Sequence, residues 1–337
     1  MIRRFSESAT PLTVTLLPTI RGVTGMTATR NLSSASVATA GPSPGRGRPG
    51  WANAATLRNG LFSGVIGLAV LVLMAAVWEG YKALGQATGD RLLGIPFPVA
   101  TDDLSMPNVG TILGALVEPA RRGDPASLGV YLLGEASVTL REAAYGLVAG
   151  SLLGLLLAVV FLHLAPVSRG LMPWLVASQT VPLVAIAPMI VIWGGKAGLP
   201  PWMAVTGIAA YLAFFPVTIN SLRGLKSPPQ VQTEFMRSVG ASRGQLLFWL
   251  RLPAALPYVF AGLRLAATAS VVGAIVGELS AGTGRGIGRS ILTFAYYYSN
   301  GPEKLYAAVL VAAVTGILFV QVLNLIERFA LRNRQTR

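Results

Sequence analysis

Cysteine is absent from this chain and histidine occurs once, as His163. Disulfides, thiolate zinc sites, iron–sulfur ligation and cysteine nucleophiles are thereby excluded, and a histidine-rich metal centre cannot be built. Charge is also scarce: 12% of the 337 residues are Asp, Glu, Lys or Arg, about half the share usual in soluble domains. The four lysines, Lys82, Lys196, Lys226 and Lys304, all lie outside any G-x-x-x-x-G-K-[ST] phosphate loop, so ATP binding by that route is excluded. What is abundant is apolar surface, with 53% hydrophobic residues and a mean hydropathy of +0.61. The remaining oddity is a net charge of +14. In a soluble protein that excess suggests nucleic acid, whereas in a membrane protein it records topology.

Residues 1–60 are rich in Ser, Thr, Ala, Gly, Pro and Arg and carry one acid, Glu7. That composition cannot form a packed core. The segment reads as a disordered tail or as a mis-assigned start with Met26 as the true first residue; an acid-poor, Arg- and Ser-rich leader also has the composition of an organelle transit peptide.

Apolar runs long enough to cross the ~30 Å hydrocarbon layer are expected at 61–82, 143–163, 171–193, 202–222, 257–279 and 304–327. An extracytoplasmic loop is expected over 83–127, and an amphipathic helix from Leu128 runs into the second span. The core is then 128–331, followed by a tail at 332–337. Gly146, Gly150 and Gly154 form a double small-xxx-small pattern suited to close helix approach. Pro173, Pro182, Pro188 and Pro216 each remove a backbone donor and are expected to kink their helices. In lipid such breaks are tolerated where freed carbonyls face protein or a water-filled cavity.

With the N-terminus inside, the inner segments hold 17 basic residues against the acids Glu7, Glu234 and Glu327; the outer ones hold nine against ten. By the positive-inside rule both termini are cytoplasmic. No nucleic-acid partner is then needed.

The most informative inner segment is 223–256. After Pro228–Pro229, Val231, Phe235 and Val239 fall at i, i+4 and i+8 on one face of a short helix. Gly240 is placed to end it. A second helix is expected from Ser242 to Leu252, with Pro253 and Pro257 opening the fifth span. The expected form is a helix–Gly–helix knob projecting from the bundle.

Glu234, Gly240 six positions on, then Leu250, Leu252 and Pro253 resemble the EAA loop of ABC importer permeases. Phe235–Met236 replace the usual Ala-Ala and Leu250 the usual Ile. The likeness extends over SVTLREAAYG, VPLVAIAPMIVIW, FFPVTINSLRGL, VGASRGQLL, LPAALPYVFAGLRLA and GRGIG, which resemble the nitrate/sulfonate/taurine branch. This resemblance implies an all-α polytopic membrane protein of about six transmembrane helices with a cytoplasmic coupling helix, the type I importer permease fold, in the inner membrane. It implies a non-enzymatic subunit, a homodimer in membrane lipid, working with cytosolic ABC ATPases and an extracytoplasmic solute-binding protein. ATP and Mg would sit on the partners, with no cofactor in this chain.

Carried onto this sequence, the coupling residues are Glu234, Phe235, Arg237, Gly240, Ala241, Ser242, Leu252 and Pro253. Candidates for the translocation path are Gln179, Thr180, Pro182, Asn220 and Glu278. The run Gly282–Gly288 is expected to be a turn leading to a short outer helix, with Arg285 and Arg289 either attracting an anion or simply solvated. Arg264, inside the fifth span, is expected to snorkel to the interface. Tyr296, Tyr297, Tyr298, Trp174 and Trp202 suit an interfacial belt. An ion-coupled secondary transporter or channel is the alternative reading. It would favour paired acids within the membrane, and none is evident in the sequence.

Overall fold

The computed structural model describes residues 50–92, 95–120, 123, 125–281 and 284–331. The expectations for residues 1–49 and 332–337 lie outside these. Helix α1 (Gly50–Thr88) begins within a first compact unit, residues 1–64, of which only this helical stretch is described. All that follows concerns the second unit, residues 65–337.

After α1 come a two-residue hairpin (β1 Arg91–Leu92, β2 Ile95–Pro96), α2 (Val109–Ala115), α3 (Leu128–His163), α4 (Ala165–Ser178), α5 (Leu183–Lys196) and α6 (Pro201–Leu225). Then follow α7 (Gln230–Ser238), α8 (Arg243–Gln245), a π-helical stretch (Leu246–Arg251), α9 (Leu252–Ala281), α10 (Ile287–Tyr296), a 3₁₀ turn (Tyr298–Asn300) and α11 (Pro302–Leu331). Among the described residues, five helical stretches are long and apolar enough to cross a membrane: Val65–Thr88, Leu128–His163, Pro201–Leu225, Arg243–Ser280 and Pro302–Ala330.

The expected third span, 171–193, is instead two half-helices, α4 and α5, bent by 100° at a short break. The break falls where Pro182 lacks an amide and biases Val181 away from helical backbone; Pro182 itself is extended, with φ −61° and ψ 109°. Pro173, Pro188 and Pro216 lie inside continuous helices, so among the four prolines only Pro182 ends one.

Three helices, α3, α6 and α9, form the centre through a seam of glycines. A Cβ on Gly150 would stand 2.6 Å from the Ala210 carbonyl oxygen, and one on Gly154 2.7 Å from that of Phe214. Gly146 meets Ala209 in the same way. The small-xxx-small pattern is therefore the α3–α6 contact. Partner numbers rise together along the two helices, so α3 and α6 run parallel.

Two parallel neighbours joined by α4 and α5 require that connection to return across the full height of the bundle. The bent pair is thus a broken span. On the other side Gly277 meets Val205, Gly273 meets Ala209, Gly262 meets Val217 and Gly224 meets Ala255. Here partner numbers run in opposite directions, and α9 is antiparallel to α6. Arg264, expected to snorkel, pairs with Glu327 near the C-terminal end of α11 at 3.2 Å.

One end of the bundle therefore collects the C-terminal ends of α3, α6 and α11 together with α7; we call it the coupling end. The other end, here termed outer, collects the start of α3, the start of α6, the end of α9, and α10. The C-terminal turns of α1 are fastened at the outer end. Trp78 Nε1 donates to Pro107 O at 3.1 Å and its ring meets Tyr306 edge-on at 5.8 Å. Lys82, 2% exposed, donates to Asp103 (2.6 Å) and Asn108 (2.8 Å). Glu79 accepts from the Val109 amide at 2.5 Å, placing a carboxylate at the start of α2.

Candidate functional sites

The coupling segment is built by ordinary helix-end chemistry. Pro229, extended at φ −56° and ψ 148°, precedes α7. At the other end Gly240 takes φ +77°. The Gly240 amide donates to Arg237 O and the Ala241 amide to Met236 O, both at 3.0 Å. This pair is a Schellman closure, which needs the left-handed residue glycine adopts freely. Ser242 then caps α8: its hydroxyl accepts from the Gln245 amide at 3.3 Å, and Gln245 Oε1 accepts from the Ser242 amide at 2.7 Å.

The expected separate helix from Ser242 to Leu252 does not occur. Arg243–Ser280 is one continuous helical stretch with a π-turn at Leu246–Arg251. The wider π-turn comes just before Pro253, at the point where a proline removes an α-helical donor. Leu252 and Pro253 thus belong to a rod joined directly to α9, and Pro257 lies inside it.

The face of α7 expected from the spacing is present and uncovered. Val231 is 75%, Phe235 65% and Val239 64% exposed, and no residue of α7 is buried. Phe248 and Trp249 of the π-turn are also exposed. Glu234 Oε1 accepts from Gln230 Nε2 at 2.6 Å, a bond one helical turn long. It braces α7 without engaging the bundle. Arg237 lies in the last turn of α7, where a cation complements the carbonyl end.

Of the path candidates, three meet at the break of the third span. Gln179 and Thr180 form its turn, with their amides donating to Val176 O and Ala177 O at 3.1 and 3.0 Å, and Pro182 precedes α5. The Tyr211 hydroxyl, from near the middle of α6, donates to the Ser178 carbonyl at the same point. That bond satisfies a carbonyl the break would otherwise leave open. Asn220 lies apart from this group: its Nδ2 donates at 2.8 Å to Pro216 O on its own helix.

Glu278 does not join these groups at an open face, because it is fully buried between α9 and the turn leading to α10. Three successive turn amides are held there. Gly286 N–H donates to Glu135 Oε2, Ile287 N–H to Thr139 Oγ1 at 2.9 Å, and Gly288 N–H to Glu278 Oε2 at 2.7 Å. Arg285 donates to Glu135 at 2.9 Å, while its side chain stays 62% exposed. Arg289 lines an open outer cavity of about 930 Å³ with Tyr131, Tyr296, Tyr297 and Lys304.

Glu142, 2% exposed, is a further buried acid on α3. These α3 groups were signalled by the spacing Glu135, Thr139, Glu142, which is i, i+4, i+7 on a single helix face.

The pattern of the family described as binding-protein-dependent transport system inner membrane component matches residues 150–332. Among curated relatives, the formylaminopyrimidine transport permease protein of Halalkalibacterium halodurans is 35% identical over 195 residues, 57% of this chain and 74% of its own. The putative aliphatic sulfonates transport permease protein of Bacillus subtilis is 27% identical over 293 residues, 87% and 91% of the two chains. The taurine transport system permease protein of Escherichia coli is 29% identical over 243 residues, 70% and 84%. The glycine-seamed helical bundle and the segment between α6 and α9 thus belong to a multi-pass membrane protein of this family, a permease component of an ABC importer.

Proposed function

We propose that this permease moves a small solute into the cytoplasm by alternating access, driven by separate cytosolic ATPase subunits that dock on α7. The observation that carries this reading is the uncovered apolar face Val231, Phe235, Val239 on a helix with no buried residue. A soluble or lipid-facing surface has no need of such a face on a capped projecting helix, whereas a partner cleft does. The coupling end is then cytoplasmic, with both termini on that side, in agreement with the five basic residues of 223–256.

Glu234, Phe235, Arg237, Gly240, Ala241 and Ser242 present and shape the docking helix. Leu252 and Pro253 belong to the rod that carries its motion. A push on α7 is transmitted through the π-turn into α9, which reaches the outer turn at Ala281 and is seamed to α6 by glycines along its length. The central helices consequently move as a body. ATP and Mg act on the partner subunits. Two copies of this chain form the pore in the lipid bilayer, and an extracytoplasmic solute-binding protein delivers the solute to the outer end.

The path runs past the break in the third span, where Gln179, Thr180 and Pro182 interrupt the helix near mid-height, with Asn220 nearer the coupling end. A break of this kind inside a membrane is tolerated where it borders protein or a water-filled cavity. The solute is then a small anion such as nitrate or a sulfonate, or a vitamin-precursor-like heterocycle, a reading supported by relatives named for sulfonate, taurine and formylaminopyrimidine transport.

The decisive experiment is uptake by proteoliposomes carrying the permease, its ATPase and its binding protein. Uptake requires ATP hydrolysis on this reading. Uptake that continues without ATP under an ion gradient overturns it in favour of the ion-coupled carrier.

A further inference from the structure

The outer cavity of about 930 Å³ lies along one face of α10. The opposite face is anchored in the bundle: Ile287 packs with Ala136 and Ala312, and Ile291 and Phe294 pack against Leu128, Leu132 and Ala308. Arg289, Leu292, Thr293 and Tyr296, at i, i+3, i+4 and i+7, are left to line the cavity. Tyr131 of α3 and Lys304 in the first turn of α11 close it from other sides.

Two half-buried cations thus face one opening, and no described acid lines it. The Arg289 guanidinium has no hydrogen bond or ion pair to any described residue; only its carbonyl is used, by Thr293 Oγ1 at 2.9 Å. Lys304 Nζ reaches the Pro119 and Ala120 carbonyls at 3.4 Å each, beyond the usual N–H···O range. Glu303 is next to Lys304, but its carboxylate lies against Gly301 and pairs with neither cation. A guanidinium carries five donors and no acceptor. Here they are left to water or to an anion.

The cavity stands in water rather than among lipid headgroups. Helix α3 has 36 residues, a length of about 54 Å, roughly 10 Å more than a bilayer of about 40–45 Å with its headgroups. Tyr131 lies in the first turn of α3, and Glu135, Arg141 and Glu142 follow within three turns. The polar start of the helix is therefore the end that projects.

We propose that this cavity is a receiving site for the solute as a small oxyanion, held between Arg289 and Lys304 before it enters the path. The proposal rests on the importer reading and adds to it a place and a charge for the solute. Arg289 offers a planar fork to two oxygens, and Lys304 a movable point charge. Tyr131, Tyr296, Tyr297 and Asn300 on the walls add neutral donors. An opening of 930 Å³ has room for about thirty waters at about 30 Å³ each, so the anion keeps much of its hydration and leaves readily, as a path requires. A cleft of one sign also concentrates the opposite charge, an effect that salt weakens.

The test uses the full-chain permease in phosphatidylcholine nanodiscs at low ionic strength, without ATPase or binding protein. Methanesulfonate is the probe, and its methyl protons are followed by saturation-transfer NMR. Binding is expected to saturate, to be displaced by nitrate, and to be absent for dimethyl sulfone, which keeps the sulfonyl shape without the charge. R289Q and K304Q should each weaken binding about tenfold, an ordinary loss for one charge-assisted bond, and leave the unfolding midpoint in place. R223Q at the coupling end should change neither. If R289Q does not fold, K304Q carries the same test.

No binding to wild type overturns the proposal, as does equal binding by wild type and both variants, or by the sulfone and the sulfonate. Loss of binding in phosphatidylglycerol discs also overturns it, since the cations would then hold lipid phosphate. So does an R289Q that binds the anion normally but docks the binding protein poorly, which would make the cavity a protein contact. ATP-dependent uptake without methanesulfonate binding sinks this site alone. Binding without ATP-dependent uptake sinks the importer reading instead.

Discussion

The outer and coupling ends of this bundle are finished in opposite ways. At the outer end, Glu135, Thr139 and Glu278 accept three consecutive turn amides, Lys82 is buried between Asp103 and Asn108, and Glu79 caps α2. At the coupling end, Val231, Phe235, Val239, Phe248 and Trp249 are all more than half exposed. One end closes on its own polar groups, and the other presents apolar surface that none of the described residues covers. The difference teaches that the outer turn's geometry is a property of the single chain, whereas the α7 knob acquires its full energetic meaning only against a partner.

Between the two ends lies the glycine seam, and breaking it has the largest expected effect. Gly150→Leu or Gly154→Leu places a side chain where even a Cβ meets backbone. Each should cost more than ~3 kcal/mol, the upper range for overpacking, and abolish folded protein in detergent extracts. Gly134→Leu on the same helix has open space around it and should extract normally. If both classes behave alike, the seam is not what holds the ends in register.

The coupling end is tested next. Replacing Val231 and Phe235 together by Asp should lower ATP-dependent uptake by about 100-fold, the loss of roughly 2.7 kcal/mol that apolar anchors supply at an interface. The unfolding midpoint should not move, because neither residue is buried. A lowered midpoint would place these residues in the fold and would erase the contrast with the outer end. Gly240→Ala is a milder version. It forces a Cβ into the left-handed region at φ +77°, costing about 1–2 kcal/mol in the capping turn, and should reduce uptake several-fold.

The smallest effect is expected midway between the ends. Tyr211→Phe removes the hydroxyl that caps the Ser178 carbonyl at the break. A loss of about 1 kcal/mol is expected for one such bond, read as a modest fall in unfolding midpoint. A change of several times that size would show that the break depends on α6 as strongly as the outer turn depends on α3.

Much of the architecture was legible in the residues. Hydropathy located the spans because lipid requires about 20 apolar residues per crossing, and Gly146, Gly150 and Gly154 announced a close helix contact by spacing alone. The coupling helix was legible for the same reason: Val231, Phe235 and Val239 repeat at helical period, and Gly240 stands where a closing turn needs it. The spacing did not show that α8, the π-turn and α9 form one rod, because Pro253 and Pro257 read locally as stops. The helix runs on through both, with a π-turn just before Pro253. Likewise four prolines carried the same local signal, yet Pro182 alone ends a helix, while Pro216 is held within α6 by packing on both α3 and α9.

What the sequence determined by itself is the part governed by short-range periodicity and composition: a polytopic helical bundle, its glycine seam, and an exposed coupling helix with its cap. The tertiary structure alone decided which helices run parallel, and so that the bent third span must cross the bilayer. It also decided that Arg264 is paired with Glu327 and that Arg285 is paired with Glu135. Those partners are separated by 63 to 150 positions along the chain, and no local pattern encodes which of many distant side chains will share a buried site once the helices have packed.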